Sequence, residues 1–146
     1  MGKVLIVYHS QSGNTKAAAE ALAQGVKQVS GTEVIIKEAL HAAAEDLLSC
    51  DAVAVGTPDY FSYMAGGLKD FFDRTYYPTK GSVTDKPCVI FVTHGGGGKA
   101  LESVKTICRS FKFKLIGEPV LIKNSPDEKA AQALANLGKL LCEAAK

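Results

Sequence analysis

The sequence contains no apolar run approaching the length needed to cross a bilayer, so no membrane span is expected. Its one apolar N-terminal stretch, MGKVLIVYHS, is followed by no small-residue cleavage site. Ile6 stands where a lipidation signal starting at Gly2 wants Ser or Thr. That segment therefore reads as a first buried strand, and the chain is expected to be cytoplasmic. No basic stripe is present: acids and bases are mixed along the chain and the formal charge is +2, which argues against nucleic acid as a partner. No C-x-x-C pair exists among Cys50, Cys88, Cys108 and Cys142, so these read as small buried hydrophobes rather than metal ligands or a disulfide framework. No repeat, low-complexity linker or composition shift divides the 146 residues, and residues 1–146 are expected to form one domain.

Several signature motifs are missing too. The first strand is followed neither by G-K-[ST], as a P-loop requires, nor by G-x-G-x-x-G, as a dinucleotide fingerprint requires. GGGGKA at 95–100 imitates the end of a P-loop. There, however, Ala100 replaces the magnesium-binding hydroxyl, Thr93 replaces the first glycine, and the stretch follows the fourth strand. A phosphatase of similar architecture wants Cys and Arg in the first loop, and a receiver domain wants clustered aspartates at the strand ends; both patterns are absent.

What is present is alternation. KVLIVY (3–8), TEVIIKE (32–38), AVAVGT (52–57), CVIFVT (88–93) and KLIGEPVLIK (114–123) read as strands. Three of them are nearly continuous apolar runs, as parallel strands covered on both faces should be, and the more mixed second strand fits an edge. Helical spacing links Ala18, Leu22, Gly25, Val26 and Val29, then Leu68, Phe71, Phe72 and Thr75, then Leu101, Val104, Cys108 and Phe111. A last helix carries Ala130, Leu134, Leu137 and Leu141, with Ser125 as its cap, Pro126 in its first turn and Glu128 completing a capping box. One or two helical turns are expected around 41–49. This pattern predicts an α/β three-layer sandwich: a five-stranded parallel sheet of order 2-1-3-4-5 with helices on both faces. In such sheets ligands bind beyond the carboxyl ends of the strands, near the reversal of strand order.

Three loops then fall at one edge. HSQSGNT places the Ser10, Ser12 and Thr15 hydroxyls, the Asn14 amide and the backbone N–H groups from Gln11 to Thr15 at a helix start, with Gly13 allowing close approach. A phosphomonoester fits that cup, and the lack of Lys or Arg within it points to a permanently bound group. An ordinary polar turn is the competing reading. GTPDYFSYMAGG, residues 56–67, gathers Tyr60, Phe61, Tyr63 and Met64 in an exposed turn, as a planar ligand or a partner protein requires; a loop folding its aromatics back over the sheet competes. Thr57-Pro58 directs an extended exit that presents the amides of Asp59, Tyr60 and Phe61. In THGGGGKA, residues 93–100, successive glycines clear side chains from a flat ligand and leave N–H donors, although Gly97 and Gly98 also fit a merely flexible turn. His94 is the one weak catalytic candidate, able to donate, stack or transfer a proton, though a lone loop histidine is often passive. His9 and His41 are assigned no role, and no metal site is expected.

The ordered set resembles the flavodoxin-like flavoproteins over essentially the whole chain. SQSGNTKAAAEAL looks like their phosphate loop and first helix. GTPDYFSYMAGGLKDFFDRT is similar to the G-[ST]-P-x-[YRW]-[FW]-G-x-M segment and following helix of NAD(P)H-dependent FMN and quinone reductases of the tryptophan-repressor-binding-protein type. The resemblance implies FMN, its phosphate at Ser10, Ser12, Gly13, Asn14 and Thr15, and its ring between Thr57, Pro58, Asp59, Tyr60 and Phe61 on one side and Thr93, His94, Gly95 and Gly96 on the other. Ser62 replaces the usual glycine, and Asp59 adds a carboxylate near the ring, where it is expected to disfavour the anionic reduced flavin. The glycine-rich third loop and the missing acidic rim favour an NAD(P)H-dependent reductase of quinones or similar acceptors over a single-electron carrier serving a redox protein partner. A homodimer would add surface for the dinucleotide. A module that has lost the flavin is the third alternative, and the intact first loop argues against it.

Overall fold

The computed structural model describes residues 2–145. The elements run β1 (Gly2–Tyr8), α1 (Asn14–Lys27), β2 (Thr32–Glu38), a 3₁₀ turn (Ala39–His41), α2 (Ala44–Ser49), β3 (Ala52–Tyr60), β4 (Tyr63–Met64), α3 (Gly66–Thr79), β5 (Pro87–His94), α4 (Ala100–Phe111), β6 (Lys114–Leu115), β7 (Val120–Lys123) and α5 (Glu128–Ala144). The sheet order is β2-β1-β3-β5-β6, with β7 also paired to β5 and β4 hairpinned onto β3. Counting only the long strands, this is the expected 2-1-3-4-5 parallel sheet with the mixed strand β2 at an edge.

Side-chain alternation divides the core into two layers. Val4, Ile6 and Tyr8 of β1, Ala52 and Ala54 of β3, and Val89 and Phe91 of β5 face α1 and α5. Leu5 and Val7, Val53 and Val55, and Cys88, Ile90 and Val92 face α3 and α4. On the first face small residues let helices and sheet approach closely. A Cβ on Gly25 of α1 would lie 2.0 Å from the Ala135 carbonyl oxygen of α5, and one on Gly138 would lie 2.4 Å from the Leu22 carbonyl oxygen. The two helices therefore meet backbone to backbone.

Three sequence expectations change. The third strand does not end at Thr57 but continues to Tyr60 and turns back as β4, so half of the supposed exposed loop is a β-hairpin and Met64 is buried. The fifth strand is broken. Five residue steps from Leu115 to Val120 oppose three from Cys88 to Phe91, so two residues loop out. The break lies at Gly117, which has φ +65°, and at Pro119, which has no N–H for the ladder. The last helix is capped by Asp127, whose carboxylate accepts the Ala130 N–H at 2.8 Å, not by Ser125. The chain is still tied to β5 through the Asn124 N–H and the His94 carbonyl (2.8 Å), so helix cannot begin at Pro126.

All four cysteines are buried and none is in a disulfide. Burial pushes the Cys50 thiol up to about 11, while hydrogen bonding with Cys108 and burial raise that of Cys88. At pH 8 the native thiols are expected to react with an aromatic disulfide reagent only as fast as the chain opens, and all together in denaturant; rapid native reaction of any one contradicts this packing. Gly25→Ala is expected to cost about 3 kcal/mol in urea unfolding, because the neighbour it meets is backbone rather than a flexible side chain.

Candidate functional site

Because β1, β3 and β5 run parallel, their carboxyl ends lie at one edge, on either side of the point where strand order reverses. The three turns that leave them are bonded to one another. The His9 N–H donates to the Gly56 carbonyl (3.3 Å), joining the first turn to β3. The Thr15 and Thr93 hydroxyls meet at 2.7 Å in a buried contact that joins the first turn to the third. Asp59 of the hairpin accepts the Ala100 N–H at 3.1 Å, joining the second turn to the third.

In the first turn Gly13 is the N-cap of α1, with φ +97°. The Ser10 hydroxyl accepts its N–H at 3.0 Å, which leaves the Ser10 proton free to donate outward. No side chain caps α1, its first turn carries no acid, and a Cβ on Gly13 would meet nothing within 4 Å. Among the described residues the N–H groups of Asn14, Thr15 and Lys16 find no acceptor. Unmet helix N–H groups with the positive end of the helix dipole, facing open space beside exposed Gln11 and Ser12, form an anion seat.

Thr15 and Thr93 sharpen that reading. Their pair bond uses one hydroxyl proton, and no protein acceptor among the described residues takes the other. With Thr93 donating to Thr15, the Thr15 proton is available to an anion at the helix start. Thr93, expected beside a ring, has its hydroxyl paired with that of Thr15 in the first turn.

In the second turn the Thr57 hydroxyl is fully engaged: it donates to the Pro58 carbonyl (2.8 Å) and accepts the Ala65 N–H (2.9 Å). Thr57 and Pro58 are buried, while Asp59 and Tyr60 are half-buried. Burial raises the Tyr60 phenol pKa. Tyr60 pairs with Tyr63, leaving Phe61 and Ser62 as a two-residue loop with φ +57° and +63°. Left-handed backbone at both central positions is a type I′ turn, which favours Asn-Gly and costs about 1–2 kcal/mol at each ordinary L-residue. The turn holds the Phe61 side chain wholly in solvent, at 103% exposure. Both oxygens of Asp59 are engaged by main-chain donors, the second accepting the Ser62 N–H at 2.8 Å.

In the third turn nothing lies within 4 Å of a Cβ built on Gly95 or Gly96, so the face above them is clear. Gly98 is different. It is buried, has φ +74°, and sits between Leu121 and His94, so it serves the fold and is not a flexible spacer. The His94 Nδ1 is a buried polar atom without a hydrogen-bond partner. An orphan of this kind beside two bare glycines is what a polar ring edge would satisfy.

Two residues escaped the sequence reading. His9 packs edge-on to Tyr60 at 6.2 Å between ring centroids, and a Cβ on Gly67 would lie 2.3 Å from its Nδ1. A helix opening on Gly66-Gly67 was the available signal of that close approach. Ser103 accepts the Met64 N–H at 3.0 Å and donates to the Ala100 carbonyl at 2.7 Å; nothing in its sequence context marks it. Among the described residues no group of three or more His, Cys, Asp or Glu side chains could hold a metal ion, and no helix is long and apolar enough to cross a membrane.

Sheet order and strand-end site together define the flavodoxin-like class. The solved structure of an archaeal flavodoxin superposes with a TM-score of 0.89 at 26% identity, covering 98% of each chain. A flavodoxin of Aquifex aeolicus is 36% identical over 121 residues, 80% of this chain and 65% of that one, so the match spans just under two thirds of that relative. An NAD(P)H dehydrogenase (quinone) of Acidithiobacillus ferrooxidans is 30% identical over 144 residues, 82% of this chain and 72% of that one. The model of the NADPH-dependent FMN reductase family matches residues 30–127. The chain belongs to that family and is an FMN-binding, flavodoxin-like protein.

The hydroxyl pair gives a test independent of any ligand. Thr15→Val is expected to destabilise the flavin-free protein by about 1–2 kcal/mol, because Thr93 is left buried with no partner. The double variant Thr15→Val, Thr93→Val should recover most of that loss. Additive losses in urea unfolding would show that the two hydroxyls do not depend on each other.

Proposed function

We propose that this protein holds FMN at the edge formed by the three turns and serves as an NAD(P)H-dependent reductase of quinones or similar small electron acceptors. The phosphate takes the seat at α1, met by the hydroxyls of Ser10, Ser12 and Thr15, the Asn14 side chain, and main-chain N–H groups between Gln11 and Lys16. The ring lies between the stretch of Thr57, Pro58, Asp59, Tyr60 and Phe61 and the stretch of His94, Gly95 and Gly96. Thr93 contributes through Thr15. FMN, when bound, supplies the hydride and electron chemistry that no side chain here possesses.

The residues around it bind, orient and leave access. An anion met by main-chain N–H groups and hydroxyls is fixed in position without a mobile cation. The His94 Nδ1, orphaned and buried, supports a polar contact with the ring. The observation that carries the enzymatic reading is that Gly95 and Gly96 bring no side chain over the ring, which leaves a face of it uncovered for a nicotinamide. A homodimer, in which a second copy extends the surface for the dinucleotide, and a cytoplasmic location belong to the same reading.

One observation favours a second reading. Phe61 is wholly exposed at the hairpin tip, and Tyr63 is 44% exposed beside it. Apolar surface of that kind next to the site suits docking of a redox protein by an electron carrier. Anaerobic mixing of the FMN-loaded protein with NADH and with NADPH separates the two. Loss of the visible flavin absorption within seconds to minutes is expected for the reductase, whereas reduction by dithionite but by neither nucleotide leaves the carrier. In a fluorescence titration FMN should bind at least about a hundredfold more tightly than riboflavin, since several charge-assisted hydrogen bonds distinguish them. Equal affinities would remove the phosphate from the α1 seat.

A further inference from the structure

We infer that Asp59 and Ser103 are positioning residues that clamp the β3–β4 hairpin to the start of α4, so that the two turns flanking the ring keep one fixed spacing. The inference rests on the FMN site proposed above, but its geometry belongs to the chain alone. Each residue spans the same gap. Asp59 takes the Ser62 N–H on Oδ1 at 2.8 Å and the Ala100 N–H on Oδ2 at 3.1 Å. The Ser103 Oγ accepts the Met64 N–H at 3.0 Å and donates to the Ala100 carbonyl at 2.7 Å.

Both sides of the gap need holding. The hairpin ladder consists of the two pairs Asp59–Met64 and Tyr60–Tyr63, and its loop keeps Phe61 and Ser62 in left-handed backbone. A ladder that short does not by itself secure a strained turn. Across the gap, the turn from Gly95 to Gly98 has no side chains with which to fix itself. Its near end is pinned where the Asn124 N–H meets the His94 carbonyl, and its far end where Asp59 meets Ala100. Asp59 also lies against the turn, its Oδ2 4.0 Å from the position a Cβ on Gly97 would take.

This assignment differs from a carboxylate acting on the flavin as a bare charge. Both oxygens of Asp59 already face backbone donors, one of them at the start of α4, where the helix dipole favours an anion. The effect on the ring is mechanical. Spacing between the two turns sets how the ring is gripped, while the phosphate seat at α1 shares no hydrogen bond with Asp59 or Ser103.

Amide hydrogen exchange on the flavin-free protein tests the clamp directly. Asp59→Ala removes both acceptor oxygens and should accelerate exchange at Ser62 and Ala100 together, by about tenfold or more, with the amides of β5 unchanged. Ser103→Ala, a milder change within a helix, should do the same at Met64. Both variants should weaken FMN and riboflavin by the same factor, about five- to twentyfold, because the phosphate seat is untouched. Unchanged exchange at Ser62 and Ala100 overturns the clamp. So does a variant Asp59→Ala that keeps both flavin affinities and only raises the second reduction potential, which would mark the carboxylate as a charge acting on the ring. If the unaltered protein binds no flavin at all, the proposed function fails, and the exchange pattern still decides whether the clamp exists.

Discussion

Everything at this site follows from the parallel pairing of β1, β3 and β5. Parallel neighbours cannot be joined by tight hairpins, so each strand must leave the sheet at its carboxyl end and return by a helix. The exits after β1 and β5 are strand-to-helix turns, the exit after β3 passes through the β4 hairpin before α3, and all three lie on one edge. Main-chain N–H groups of turns and helix starts are concentrated there with few carbonyls to meet them. A protein built this way must satisfy those donors with its own side chains, with water or with a ligand.

The chain answers that demand differently at two of its helices. At α4 the protein supplies the anion itself: the Asp59 carboxylate accepts the Ala100 N–H, and Glu102 lies in the first turn. At α1 it supplies nothing of the kind. No acid and no capping side chain is present, and the hydroxyls around the turn include one proton with no acceptor among the described residues. The α4 start is closed and the α1 start left open within a single edge. The α3 start also lacks an acid and a capping side chain, but the N–H of its N-cap Ala65 is met by the Thr57 hydroxyl. That contrast gives the α1 seat its meaning, because unmet donors alone occur at many helix starts.

Much of this was legible in the sequence because it follows from period and composition. The near-continuous apolar runs of β1, β3 and β5 announced strands buried on both faces, and the mixed run of β2 announced the edge. HSQSGNT was read as an anion seat from its hydroxyl residues and glycine before an Ala-rich helix, and the structure gathers those groups beside unmet N–H groups at one helix start. What escaped reading depends on partners distant in sequence. Ser103 looks like any helical serine until the hairpin amide of Met64 is placed against it. Pro58 suggested a strand end, yet the strand continues because Pro58 pairs with Thr93 near the end of the ladder. Ser125-Pro126 resembled a cap, and Asp127 prevailed because the Asn124 N–H holds the chain on β5 for longer. Local sequence describes local preference; each of these outcomes was decided by a hydrogen bond across the fold.

Packing far from the edge also bears on it. α1 can present its start at the end of β1 only if its body is seated closely against the sheet and α5, and small residues make that possible. Ala52 and Ala54 lie beneath it, Gly138 of α5 approaches the Leu22 carbonyl, and Gly25 approaches Ala135. A helix held at that distance has little freedom to slide along its axis, and such sliding would carry the N–H groups of Asn14, Thr15 and Lys16 away from Thr93. The 2.7 Å contact between Thr15 and Thr93 is thus the outer end of a restraint that begins in the helix-to-helix contact. Binding geometry at the surface is inherited from backbone contact in the core, and a cofactor seat made of main-chain donors can be no better placed than the helix that carries them.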